Sequence, residues 1–283
     1  MKNTTILVLQ GPDGTTADLA PVVAAAHAAQ GRLCVMHLGP VPLLTFTMTA
    51  APYAVPVIPE SWIEKRNEMA KRLSVKQSET RDHLVKEGLT GEVSTLCVEP
   101  AAMHDQVAIR ALFADLSVVQ NSLRSDSNAF DNVVYGLLFE APGPVILNAE
   151  ARKNALAPET VMIAWNSSIH AARAVRAALP FLKSAKEVLI ASFDADPSRY
   201  GDGDNPGADL ATWLSHHGCT VTVEEYVTGR KSTAQAIEAR AQEHNVDLVV
   251  MGAYGRSHWS ERFFGGTTNA MVKQQGMPVL LAH

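Results

Sequence analysis

The chain has 283 residues, more than one domain usually holds, so two domains are expected. Hydrophobic residues make up 47% and charged residues 19%, a balance that excludes a disordered chain. The formal net charge of −5 excludes a broadly basic nucleic-acid surface, and the three scattered cysteines (Cys34, Cys97, Cys219) suit packed thiols in a reducing, cytoplasmic setting.

The first predicted strand is Thr5 to Gln10; its apolar run Ile6-Leu7-Val8-Leu9 is too short for a secretory signal. A second strand spans Arg32 to Leu38. From Leu33 to Pro59 there is no Asp, Glu, Lys or Arg, which is enough chain to cross a bilayer. Pro40, Pro42, Pro52, Pro56 and Pro59 argue against a continuous helix there. The expectation is a strand to Leu38, then an apolar loop that packs on its own domain or meets a partner, with no membrane association. A long helix is predicted over Ser61 to Glu87, its charges facing outward. Strands at Glu92 to Val98, Leu116 to Gln120 and Pro144 to Leu147 complete the first half. Ala149 to Pro158 forms a short linker.

The second half repeats the plan in the same order. Thr5-Ile-Leu-Val-Leu matches Val161-Met-Ile-Ala-Trp, Asp115-Leu-Ser-Val-Val-Gln matches Asp247-Leu-Val-Val-Met-Gly, and Gly143-Pro-Val-Ile-Leu matches Met277-Pro-Val-Leu-Leu. Residues 1–150 and 156–283 are therefore expected to form one unit each. Strands are predicted at Thr160 to Trp165, Glu187 to Phe193, Thr220 to Val227, Leu248 to Met251 and Pro278 to Ala282. Helices fall between them, at Ile169 to Leu182, Ala208 to His217, Ser232 to His244 and Thr267 to Gln275. Ser232-Thr233 can cap its helix, and Gly276-Met277-Pro278 is a stop signal. Apolar strands alternating with helices imply a parallel sheet covered on both faces.

After the fourth strand of the second half stands Met251-Gly-Ala-Tyr-Gly-Arg. Gly252, Gly255 and Gly265 follow the spacing Gly-x2-Gly-x9-Gly and lead into Gly266, Thr267 and Thr268. Glycines between strand and helix let backbone amides approach a phosphate, and a helix amino terminus adds unpaired N–H groups and partial positive charge. This element resembles the ATP-binding loop of the universal stress protein family. The resemblance covers most of the chain and implies two tandem α/β domains, each a five-stranded parallel sheet of order 3-2-1-4-5, packed as a pseudo-dimer through their fifth strands near Val145 and Val279.

The resemblance also implies an adenine nucleotide (ATP, ADP or AMP, with or without Mg2+) where strand order reverses. Ala164, Trp165 and Asn166 match the end of the first strand, where the family has an Asp. Phe193 matches a position whose backbone meets adenine. Met251, Gly252, Gly255, Arg256, Gly265, Gly266, Thr267 and Thr268 match the phosphate loop, with Gly266 where the family has Ser or Thr. The first half departs further. After Val118-Val-Gln-Asn-Ser-Leu-Arg there is no Gly-x2-Gly, although Asp13 remains near the first strand end, so this half is expected to hold no nucleotide.

Other constellations lead elsewhere. Gly229-Arg-Lys-Ser-Thr fails as a P-loop because Arg230 and Glu225 stand where glycines are required. Asp194, Asp196, Asp202 and Asp204 share a loop, but Trp213 stands where a calcium loop needs glutamate. No catalytic residue or metal ligand is assigned. The reading is a nucleotide-dependent stress-response regulator with an unidentified protein partner, as a monomeric pseudo-dimer or a homodimer. The alternatives are a slow ATP hydrolase or adenylyl transferase on the same fold, and a nucleotide-free interaction module using Leu43 to Ile58.

Overall fold

The computed structural model describes residues 3–44, 58–194, 207–254 and 266–283. Ten strands form one sheet: β1 (Thr5–Gln10), β2 (Arg32–Pro40), β3 (Gly91–Val98), β4 (Leu116–Val119), β5 (Val145–Leu147), β6 (Thr160–Trp165), β7 (Glu187–Phe193), β8 (Val221–Tyr226), β9 (Leu248–Gly252) and β10 (Val279–Ala282). Their order is β3-β2-β1-β4-β5-β10-β9-β6-β7-β8. Each half therefore has the expected 3-2-1-4-5 order with parallel neighbours. The halves join where β5 runs antiparallel to β10, pairing Leu147 with Val279, Ile146 with Leu280 and Val145 with Leu281. The expected pseudo-dimer is thus a continuous backbone ladder, which leaves neither fifth strand with a bare edge.

The helices are α1 (Ala20–Ala28), α2 (Glu60–Lys86), α3 (Met103–Ala111), α4 (Ser127–Phe139), α5 (Ile169–Ser184), α6 (Ala208–His216), α7 (Thr233–Glu243) and α8 (Gly266–Lys273). Strand residues alternate between two apolar layers. Leu7, Leu9, Val119, Leu147, Val249 and Leu281 face the layer that includes residues of α3, α4, α7 and α8. Ile6, Val8, Val118, Ile146, Val250 and Leu280 face the layer that includes residues of α1, α5 and α6. Both layers cross the β5–β10 seam. Full burial of each such side chain contributes about 1.5–3 kcal/mol, so the seam shares the core of both halves.

Local signals explain the element ends. Ser232 accepts from the Gln235 amide while Gln235 accepts from the Ser232 amide, closing a capping box on α7. Ser168 caps α5 by accepting from the Ala171 amide. Observed boundaries lie within two residues of those expected, β2 running on to Pro40. In the linker, Ala149, Ala155 and Leu156 are buried, so it packs against the sheet. Among the described residues no helix is long and apolar enough to cross a membrane; residues 45–57 of the apolar segment lie outside the described residues.

Candidate functional site

In the second half the order reversal falls between β6 and β9, whose exits lie side by side with Ala164 opposite Met251. Ala164 packs on the α7–α8 side and Trp165 on the α5–α6 side. Asn166 is exposed just beyond β6, and its Oδ1 accepts from the Ser168 hydroxyl at 2.7 Å. Ser167 between them takes a left-handed φ of 55°, turning the chain sharply into α5.

Gly252 ends β9. A Cβ there would lie 2.5 Å from the Ala171 nitrogen and 2.6 Å from the His170 carbonyl carbon. The glycine therefore has a packing duty, letting the first turn of α5 sit against the strand exit, which the sequence did not reveal. Beyond it, the Tyr254 amide donates to Thr268 Oγ1 at 3.2 Å. Thr268 is buried, so its hydroxyl ties the strand exit to α8. Gly266 opens α8, is exposed, and among the described residues has no atom within 4 Å of where a Cβ would stand. Thr267 beside it is half-buried. Gly255, Arg256 and Gly265 lie outside the described residues, as do Asp196, Asp202 and Asp204.

Phe193 ends β7 with its ring stacked on Tyr226, centroids 5.5 Å apart. The Tyr226 hydroxyl donates to Glu224 and lies 3.0 Å from His244 Nε2. Burial, then Glu224, pushes its pKa up, so it stays protonated. Asp194 next door takes a left-handed φ of 45° and accepts from the amide and hydroxyl of Thr228. The hydroxyl bond, then the amide bond, holds its carboxyl below the usual range.

Two residues at this end were not legible in sequence. His170, in the first turn of α5, stacks on His283, just past β10, at 4.4 Å and 26°. Tyr254 meets the His170 ring edge-on at 5.6 Å, and His283 Nδ1 lies 2.9 Å from the Ala253 oxygen. Burial, then His283 and Arg173, pulls the His170 pKa down. No spacing rule relates the start of one helix to the end of a distant strand, so sequence gave no signal for the pair.

The matching place in the first half is filled from within. Gln10 and Gln120, at the exits of β1 and β4, are buried. Gln10 Nε2 donates to the Thr15 oxygen and Gln120 Nε2 to the Asp18 oxygen, both at 2.8 Å. The Gly11 amide donates to Ser122 Oγ at 2.9 Å, and a Cβ on Gly11 would lie 2.4 Å from the Ser122 oxygen. A 3-10 turn at Asn121–Ser125 thus occupies the space after β4. Asp13 is exposed and pairs with Arg72 of α2. Away from both exits, His104 Nδ1 lies 3.0 Å from Glu140 and 3.2 Å from Asp105, a polar contact between α3 and the residue that follows α4.

Two doubly wound halves joined edge to edge, each reversing its strand order between its first and fourth strands, define a class of tandem α/β proteins. Residues 158–283 match the model of the Universal stress protein family. Two solved structures share the whole architecture. A universal stress protein from Archaeoglobus fulgidus DSM 4304 is 16% identical, with 98% of this chain and 97% of that one covered and a TM-score of 0.63. A protein from Pseudomonas aeruginosa UCBPP-PA14, described as belonging to the universal stress proteins, is 16% identical, with coverages of 99% and 92% and a TM-score of 0.57. These likenesses concern the fold. No curated protein matches the chain.

Proposed function

We propose that the chain is a nucleotide-dependent stress-response regulator that binds ATP, or its ADP and AMP relatives, at the switch point of its second half. The observation that carries this reading is the start of α8: Gly266 is exposed, with no described atom against the place of a Cβ, directly after the Gly-x2-Gly-x9-Gly run. Unpaired amides at that terminus suit phosphate oxygens. Thr267 would supply the hydroxyl that the family places one residue earlier, since Thr268 is committed to Tyr254. Ala164, Trp165, Asn166 and Phe193 would flank the nucleoside, with Asn166 offering an uncharged acceptor and donor. Mg2+ would be held mainly by the phosphates themselves.

The proposed mechanism is occupancy: bound nucleotide stabilises the ordered loop and shifts the population towards it. Residues 1–150 would serve as the degenerate, nucleotide-free copy. Isothermal titration of the full chain with ATP and ADP, with and without magnesium, tests the reading. One site per chain is the expected result, and no heat or two equivalent sites would overturn it. Mass spectrometry of ligand released from freshly purified protein would identify the phosphate state.

A further inference from the structure

Arg124 of the first half reaches α8 of the second. It lies in the 3-10 turn Asn121–Ser125, after β4. Its Nη2 is within hydrogen-bond distance of Asn148 Oδ1 at 2.8 Å, the Val272 oxygen at 2.9 Å and the Gln274 oxygen at 3.2 Å. Its Nε donates to Asn121 Oδ1, and its guanidinium lies 4.0 Å from the centroid of Phe130. Asn148, buried and left-handed at φ 57°, adds Nδ2 bonds to the Gln274 oxygen at 2.9 Å and the Met277 oxygen at 3.1 Å. A cation and an amide from the first half thus satisfy carbonyls at the carboxyl end of α8.

The last carbonyls of a helix lack intrahelical partners and favour a cation. An eight-residue helix such as α8 is marginal on its own, so tertiary contacts must hold it. The opposite end of α8, about 12 Å away along its axis, begins at Gly266, after the glycine run. The internal repeat adds a correspondence. Asp115–Gln120 aligns with Asp247–Gly252, and continuing without a gap sets Leu123 at Gly255 and Arg124 at Arg256. The first half has a side chain where the loop glycine stands, and its arginine points into the other half.

We propose that Arg124 is a positioning residue for the second half's phosphate site, clamping the far end of α8 so that its first-turn amides stay ordered. This rests on the nucleotide reading above. The coupling is reciprocal: phosphate bound at one end of α8 tightens the clamp at the other, so the first half senses occupancy of the second.

Arg124→Met keeps the apolar contact with Phe130 and removes the donors; Arg124→Lys keeps charge without the fork. Hydrogen exchange on the ligand-free full chain should show α8 amides exchanging at least about tenfold faster in Arg124→Met, with β1, β2 and β7 unchanged and Arg124→Lys intermediate. ATP affinity should fall by about threefold to tenfold in the same order. Unchanged exchange at α8 in a folded variant would overturn the clamp. Faster exchange throughout the sheet would reduce Arg124 to a general stability contact and overturn it equally. If Arg124→Met does not fold, the Arg124→Lys comparison decides. Absence of ATP binding by the unmodified chain would overturn the nucleotide reading and with it the coupling, whereas the exchange result still judges the clamp.

Discussion

The two switch points share one strand pattern but differ in the groups that follow their strands. At the first, Gln10, Gln120, Gly11 and Ser122 bond to one another's surroundings and close the crevice with protein groups. At the second, strand register sets Trp165 and Gly252 at the positions of Gln10 and Gln120, one residue earlier on β6 than the sequence match placed them, and the sequence continues into the glycine run and α8. The difference teaches that closing a switch-point crevice takes more than the absence of glycines. The vacated backbone donors need new acceptors, because a buried unpaired N–H costs about as much as a lost hydrogen bond. The Ser122 hydroxyl does this for Gly11. The freed turn then becomes available for another duty, and Arg124 carries it across the seam.

The largest effect should come from Gly255→Val, which puts a β-branched side chain into the proposed cradle. ATP affinity should fall by more than about a hundredfold while urea-induced unfolding keeps its midpoint. Retained affinity in a folded variant would erase the contrast between the two crevices.

Acid should separate the halves next. His37 on β2 is buried, with Nε2 2.8 Å from Thr80 Oγ1 of α2, and burial, then Lys76, lowers its pKa from 6.5 to about 4. Between these values the unfolded chain binds a proton that the folded chain refuses. Stability from this group is full above pH 6.5 and declines as pH falls towards 4, by about 3 kcal/mol in all. By strand register its counterpart is Ser192, which does not titrate. Hydrogen exchange at pH 7 and pH 4.5 should show β2 and α2 loosening more than β7. A His37→Gln variant should flatten the difference; equal loosening of both halves would contradict it.

Gly11→Ala and Gly252→Ala should each destabilise the fold by about 1–3 kcal/mol, because each added methyl would meet backbone atoms closer than 3 Å. Denaturant midpoints would measure it, and a neutral result at either position would mean that its strand exit can relax. Asn166→Asp should raise ATP affinity by about tenfold in magnesium, through a second charged acceptor. No gain would remove Asn166 from the nucleotide site. Gly266→Ala should have the smallest effect on stability, within about 0.5 kcal/mol, since space is open there, while lowering ATP affinity severalfold. An unchanged affinity would move the phosphates away from α8.

Much of this architecture was legible because it rests on local rules. Apolar runs marked the strands, Ser232 marked a helix start, and the family resemblance pointed to the seam through the repeated fifth strands. The roles of Gly252, His37, His170 and Arg124 were not legible. Gly252 reads as a loop glycine until α5 is packed against it. His37 reads as one histidine among ten until α2 brings Thr80 over it. Arg124 and Asn148 read as loop polars until β5 meets β10.

By itself the sequence determined the alternation of strand and helix, the two halves and the position of the glycine run, since these follow from side-chain periodicity, caps and backbone freedom within a few residues. Only the tertiary structure decided that protein groups fill the first crevice, that Gly252 serves packing and that Arg124 bonds to the end of α8. Those outcomes depend on groups far apart in the chain, whose hydrogen bonds gain strength only when folding buries them together.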